Sequence, residues 1–143
     1  PGVYAIVYKE TNEVIGSIGL HAGDKSSRGL GSDELQAEVG YWIAKPYWGR
    51  GLVPEAARPL IEFGFLELEL NRIWIAYFDG NNKSKRVAEK LGFTYNHFAE
   101  EVRVEALGET KKEHYMLLTK EDFNESIRLR YLPYITPKAE AEA

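Results

Sequence analysis

The residues of this chain best suited to chemistry lie between Glu38 and Ala57, in the run EVGYWIAKPYWGRGLVPEAA. Gly49-Arg50-Gly51 lets the backbone approach a ligand closely at both glycines, and Arg50 sets a fixed positive charge beside them. A helix that starts behind such a loop offers unpaired backbone N–H groups to an anion, so the pattern fits a phosphate cradle stiffened and walled by Pro46 and Trp48. Glycines spaced this way also serve ordinary left-handed turns, and these residues alone leave both readings open. Ahead of the loop, Leu35 to Ile43 alternates as a strand does. Leu35, Ala37, Val39, Tyr41 and Ile43 fall on one face, and Gln36, Glu38, Gly40 and Trp42 on the other. A carboxylate among small and aromatic side chains is either a solvated edge residue or a base held in a cleft.

These groups need elements to hold them. Val3 to Tyr8 and Val14 to Leu20, joined by turn chemistry around Asn12, read as a β-hairpin. Gly23 to Ser32 reads as a mobile loop, with His21 at its edge as a surface or packing residue. After the glycines a helix is expected from about Pro54 to Leu68. Pro54 suits its first turn, Glu55 complements its dipole, and Pro59 should kink it between Glu55 and Pro59. Ile73 to Phe78 reads as a strand buried on both faces. Asp79-Gly80-Asn81-Asn82 then makes a turn that caps a helix stopped by Gly92. Thr94 to Glu105 and Lys112 to Leu118 form a second hairpin across Leu107-Gly108-Glu109-Thr110, and Thr119 caps a last helix. Residues 1–132 are expected to be one domain and residues 133–143 a flexible tail.

Two segments carry a resemblance. The run W-G-R-G-L-V-P-E-A resembles the acyl-CoA pyrophosphate loop of the GNAT N-acetyltransferases, most closely the RimJ/RimL-like branch. Asn81 to Phe93 is similar to that branch's N-x-x-S-x-x-V-x-E-K-L-G-F block, in the expected order. The resemblance implies an α/β (α+β) GNAT fold, a mixed and largely antiparallel twisted sheet flanked by helices. It also implies a chain without the first strand and two helices that usually precede the hairpin. The implied activity is transfer of an acetyl group from acetyl-CoA to a primary amine, a protein N-terminal α-amine or a small molecule, by direct attack in a ternary complex. On that reading Gly49, Arg50, Gly51, Leu52 and Val53, with Trp48 as a wall, hold the pyrophosphate. Backbone groups of Tyr41, Trp42 and Ile43 pair with the pantetheine arm, and an N–H near Ile43 faces the thioester oxygen. Glu38 matches the carboxylate base on this strand, and Asn81 the asparagine that touches the cofactor arm. The family's tyrosine acid falls at Ala88 here, so the resemblance leaves Ser84 to protonate the departing thiolate; its ordinary alternative is a serine satisfying helix N-terminal N–H groups. The competing implication is a non-catalytic acyl-CoA-binding or sensing module.

Composition narrows the field. The 143 residues suffice for one domain, 44% of them hydrophobic and 28% charged, as in an ordinary soluble globular chain. No apolar run reaches the length of a membrane span and the start shows no signal-peptide pattern, so a cytoplasmic protein without membrane contact is expected. The absence of cysteine excludes disulfides, thiolate metal sites and a cysteine nucleophile, and no histidine cluster suggests a metal. A net charge of −4 gives no case for direct nucleic-acid binding. Lys83, Lys85, Arg86 and Lys90 share one expected helix, as a solvated face or as neighbours of the cofactor's phosphates. Family members are monomers or homodimers, and either is expected here. The rejected nucleotide-binding motif fails at Pro54, which stands where G-x-G-x-x-G needs its last glycine.

Overall fold

The computed structural model describes residues 2–22 and 35–130. The expected loop from Gly23 to Ser32 and the expected tail, residues 133–143, lie outside the described residues. Six strands form a single sheet: β1 (Val3–Tyr8), β2 (Glu13–Ala22), β3 (Gln36–Ile43), β4 (Arg72–Phe78), β5 (Thr94–Val104) and β6 (Glu109–Thr119), in the order β1-β2-β3-β4-β6-β5. Only β3 and β4 run parallel; the other neighbours are antiparallel. The parallel step needs a crossover, and helix α1 (Leu52–Leu66) supplies it. Helix α2 (Asn82–Lys90) follows β4, and a third helix, α3, occupies residues 120–130.

The core sits between α1 and one face of the sheet. Ala57, Leu60, Ile61 and Phe65 recur along α1 at helical spacing and meet Ile18 and Leu20 of β2, Val39 of β3, Ile73 and Ile75 of β4, and Met116 and Leu118 of β6. Gly64 keeps that contact close, because a Cβ there would stand 3.0 Å from the Ile73 Cδ1. Phe65 stacks on Phe123 of α3 with ring centroids 4.7 Å apart. Helix α1 begins two residues earlier than Pro54 and continues through Pro59. Pro59 does not end the helix, and the flanking Ala57, Leu60 and Ile61 all pack into the core.

Turns follow the residues that favour them. Asn81 caps α2, its side-chain oxygen accepting from the Ser84 N–H at 3.2 Å, and Gly92 follows the helix at φ 91°. Thr119 ends β6 and caps α3 through Asp122. The second hairpin turns earlier than expected: Glu105–Leu107 makes a 3-10 turn closed by Gly108 at φ 63°, so Glu109 and Thr110 belong to β6.

The opposite face of the sheet carries a second buried layer of mixed character. Gln36, Glu38, Trp74, Glu113 and Tyr115 are all buried there. The Trp74 indole donates to the Gln36 side-chain oxygen at 2.9 Å, and the Tyr115 hydroxyl donates to Glu113 at 2.7 Å. His97 stacks on Tyr115 and meets Trp74 edge-on.

Candidate active site

The site is built where β3 and β4 part. Their register pairs end at Glu38 opposite Trp74, although β3 continues to Ile43 and β4 to Phe78. On its other side β3 stays paired with β2 as far as Ile43, and Ala44 extends that ladder by donating to the Ile15 carbonyl at 2.8 Å. Strand backbone groups alternate in direction, so with Ala44 turned toward β2 the N–H groups of Val39, Tyr41 and Ile43 face the widening slot. An extended ligand entering there would find a strand edge to pair with.

At the mouth of the slot lies the glycine loop. After the 3-10 turn Lys45–Tyr47, Gly49 has φ 75° and Gly51 φ 74°, a backbone region that residues with a Cβ rarely adopt. Nothing lies within 4 Å of where a Cβ would stand at either, so the loop is open on its outer side. Gly51 is the N-cap of α1, which leaves the N–H groups of Leu52 and Val53 at the helix start with no preceding turn to bond. Trp48 closes one wall, its indole donating to the Ile43 carbonyl at 2.8 Å, and the Lys83 ammonium lies 3.8 Å from the centre of that ring. Arg50 lies over Tyr47. Of the basic residues on α2, Lys83 thus stands beside the loop. The loop amides, Arg50 and Lys83 form a cationic rim suited to a pyrophosphate.

Ser84 projects from the first turn of α2 and meets the Tyr41 hydroxyl at 2.7 Å, across the slot from β3. Burial raises the Tyr41 pKa above the ordinary tyrosine value, against a smaller lowering by the Ser84 hydrogen bond, so the phenol stays neutral. Either hydroxyl can donate in this contact; with the phenol as donor, the serine's own hydrogen is free to point outward. The sequence placed Tyr41 here for its backbone; it did not reveal the hydroxyl contact, which joins residues 43 positions apart. The available signal was the alternation that puts Tyr41 on the helix-covered face.

Glu38 lies on the other face of β3, at 4% exposure. That excludes the solvated-edge reading and leaves a carboxylate held inside, in the layer with Gln36 and Trp74. Trp42, on the same face, is 57% exposed and outside that layer. Asn81 serves as the α2 cap, so its side-chain oxygen is already used by the Ser84 N–H. Among the described residues there is no group of three His, Asp or Glu placed to hold a metal, and no helix long and apolar enough to cross a membrane.

Comparison with known proteins agrees with this geometry. A sequence profile described as the acetyltransferase (GNAT) domain matches residues 1–94. Among curated relatives, a Bacillus subtilis protein provisionally named ribosomal N-acetyltransferase YdaF is 46% identical over 78 residues, which are 54% of this chain and 39% of the relative. Among solved structures, a probable acetyltransferase is 37% identical with TM-score 0.66, covering 78% of this chain and 58% of its own. A Vibrio cholerae structure provisionally assigned as a ribosomal-protein-serine acetyltransferase is 26% identical with TM-score 0.66, covering 82% and 63%. The chain spans about half or less of the length of the curated relatives it matches. With the profile covering well over half of its residues and the sheet parting beside a glycine loop, the chain belongs to the GNAT acetyltransferase family.

Proposed function

We propose that this chain carries the catalytic part of an acetyl-CoA-dependent N-acetyltransferase acting on a primary amine. The observation that carries the reading is the parting of β3 from β4 after Glu38, beside the open loop from Gly49 to Val53. The loop amides, Arg50 and Lys83 would hold the pyrophosphate, with Asn81 close by at the start of α2. The slot-facing N–H groups of Tyr41 and Ile43 would hold the pantetheine arm, and the Ile43 N–H would serve the thioester oxygen as an oxyanion donor. Trp42, between them, contributes its place in the strand. Bound acetyl-CoA supplies the activated acetyl group.

The chain's own residues then handle protons. Amines are mostly ammonium at neutral pH, and Glu38, from inside the sheet's second face, takes the proton that must leave before attack. Ser84, its hydrogen turned outward by Tyr41, donates toward the departing thiolate and is reprotonated with the second proton that the acylated nitrogen gives up. A thiol of pKa about 8.5 is a good leaving group, so this help is smaller than an alkoxide would need. The names of YdaF and of the Vibrio cholerae structure favour a protein over a small amine as acceptor.

The test is thiol release from acetyl-CoA with short peptides bearing free α-amines and with polyamines as acceptors, on wild type and Glu38→Gln. The expected result is turnover on peptides that falls roughly a hundredfold in Glu38→Gln, with acetyl-CoA affinity unchanged. Binding of acetyl-CoA without turnover on any amine would instead establish the sensing module.

A further inference from the structure

Acetylation of an ammonium ion by a thioester gives an amide, a thiol and one free proton. The nitrogen gives up two protons; one ends on sulfur, and the other must reach water in every cycle. If Glu38 takes the proton bound for water, as the proposed function has it, the carboxyl must then discharge it, yet only 4% of Glu38 is exposed. Burial that suits a base obstructs its reset.

The group placed to relieve it is on the neighbouring strand. His21 of β2 is the direct antiparallel partner of Glu38. Directly opposed side chains share a sheet face with Cβ atoms about 5 Å apart. Unlike Glu38, His21 is exposed. Its ring lies along the sheet over Gly40: a Cβ at Gly40 would stand 3.0 Å from His21 Nε2 and 3.1 Å from Cδ2. The missing side chain at Gly40 therefore gives the ring its place on the face that Glu38 shares with Gly40. Beside Glu38 on that face, Gln36 and Trp74 are hydrogen-bonded to each other and carry no titratable proton near neutral pH. Glu113, bonded by Tyr115, and His97, stacked on Tyr115, share the face but stand on β6 and β5, beyond Trp74, whereas His21 is on the strand paired directly with Glu38.

We propose that His21 carries the proton from Glu38 to solvent. The Glu38 carboxylate accepts a proton from the acceptor ammonium; the carboxyl O–H passes it to a ring nitrogen of His21; the imidazolium releases it to water or a buffer base. Both side chains return to their starting states, and no other reactant is needed. His21 touches neither substrate and acts through Glu38.

The experiment measures turnover of wild type, His21→Ala and His21→Gln at saturating acetyl-CoA and acceptor, first in dilute buffer and then with increasing ring-methylated imidazole. Acetyl-CoA binding is followed in parallel by calorimetry. The expected result is a loss of about tenfold in dilute buffer for both variants, saturable recovery with the imidazole, and unchanged acetyl-CoA affinity. A merely structural role would give no recovery, because small bases do not repair packing. Equal turnover in variant and wild type, or a loss that imidazole does not recover, would overturn the role of His21 and leave the acetyltransferase reading intact. A wild type that binds acetyl-CoA but acetylates no amine would overturn both.

Discussion

In the proposed reaction, strand β3 divides the two proton transfers between its faces. Glu38 projects into the buried layer with Gln36 and Trp74, whereas Tyr41 projects toward α2 and bonds Ser84. A strand alternates by geometry, so one short segment can set a base and a thiol-side donor on opposite sides of a slot without letting them exchange protons directly. Tyr41→Phe probes the thiol side, because it keeps the ring and removes the hydroxyl that orients Ser84. Turnover should fall several-fold and stability by about 1 kcal/mol, the usual net worth of one side-chain hydrogen bond. Chemical denaturation and thiol release read the two effects separately, and unchanged turnover with normal acetyl-CoA affinity would remove Tyr41 from the thiol side. The strand face that carries Glu38 and the glycine turn were legible in the sequence because alternation and turn chemistry are local. The Tyr41–Ser84 bond was not, because it depends on how α2 returns to the sheet.

Among the elements, the turn between β4 and α2 decides where Ser84 stands. Asp79 holds that turn to β6: His114 Nε2 donates to the Asp79 carboxylate at 2.7 Å, and the ring's Nδ1 lies 2.9 Å from the Tyr95 hydroxyl. His114 also stacks on Tyr77, beside the turn. The hydrogen bond from His114 lowers the Asp79 pKa below the ordinary carboxylate range. A lowered folded-state pKa means that the contact stabilises the fold at pH above the unfolded carboxylate value. That stabilisation is lost as pH falls through the folded value. His114→Gln should return the Asp79 titration, followed by NMR of the carboxyl carbon, to the ordinary range and loosen amide protection at Asn81 and Asn82. An Asp79 titration unmoved by His114→Gln would contradict the assignment. The Asp79-Gly80-Asn81 turn and the Asn81 cap could be read from sequence. The parting of β3 from β4 could be expected only through family resemblance, since where a register ends is a property of two strands together and neither strand alone encodes it.

For the whole molecule, one surface lies beside the site and meets it at Leu52. Between strand β1, at the edge of the sheet, and α1 runs an apolar groove of about 710 Å³ lined by Tyr4, Val7, Leu52, Pro59 and Phe63. A strand edge beside exposed apolar side chains is a template for association. Val7→Lys, which charges that edge, should lower binding of a hydrophobic dye and shift sedimentation toward the monomer without altering acetyl-CoA affinity. A variant that sediments and binds dye as wild type does would show that the groove takes no part in association. The core between α1 and the sheet was legible as whole-element periodicity, because Ala57, Leu60 and Ile61 repeat at helical spacing and Ile73 and Ile75 at strand spacing. The second buried layer was not: it rests on pairings such as Trp74 with Gln36, across strands far apart in sequence.

The proposed acetyl transfer depends first on the cofactor site. The measurement that tests it most directly is calorimetric titration of acetyl-CoA and of desulfo-CoA into wild type, Arg50→Ala and Gly51→Trp. Gly51 has φ 74°, so tryptophan there must distort the loop as well as crowd it. The expected result is binding of both ligands to wild type, weaker binding to Arg50→Ala, and none to Gly51→Trp while its circular dichroism stays native. Equal binding to wild type and a folded Gly51→Trp, or no binding to folded wild type, would contradict the assignment of the loop and slot.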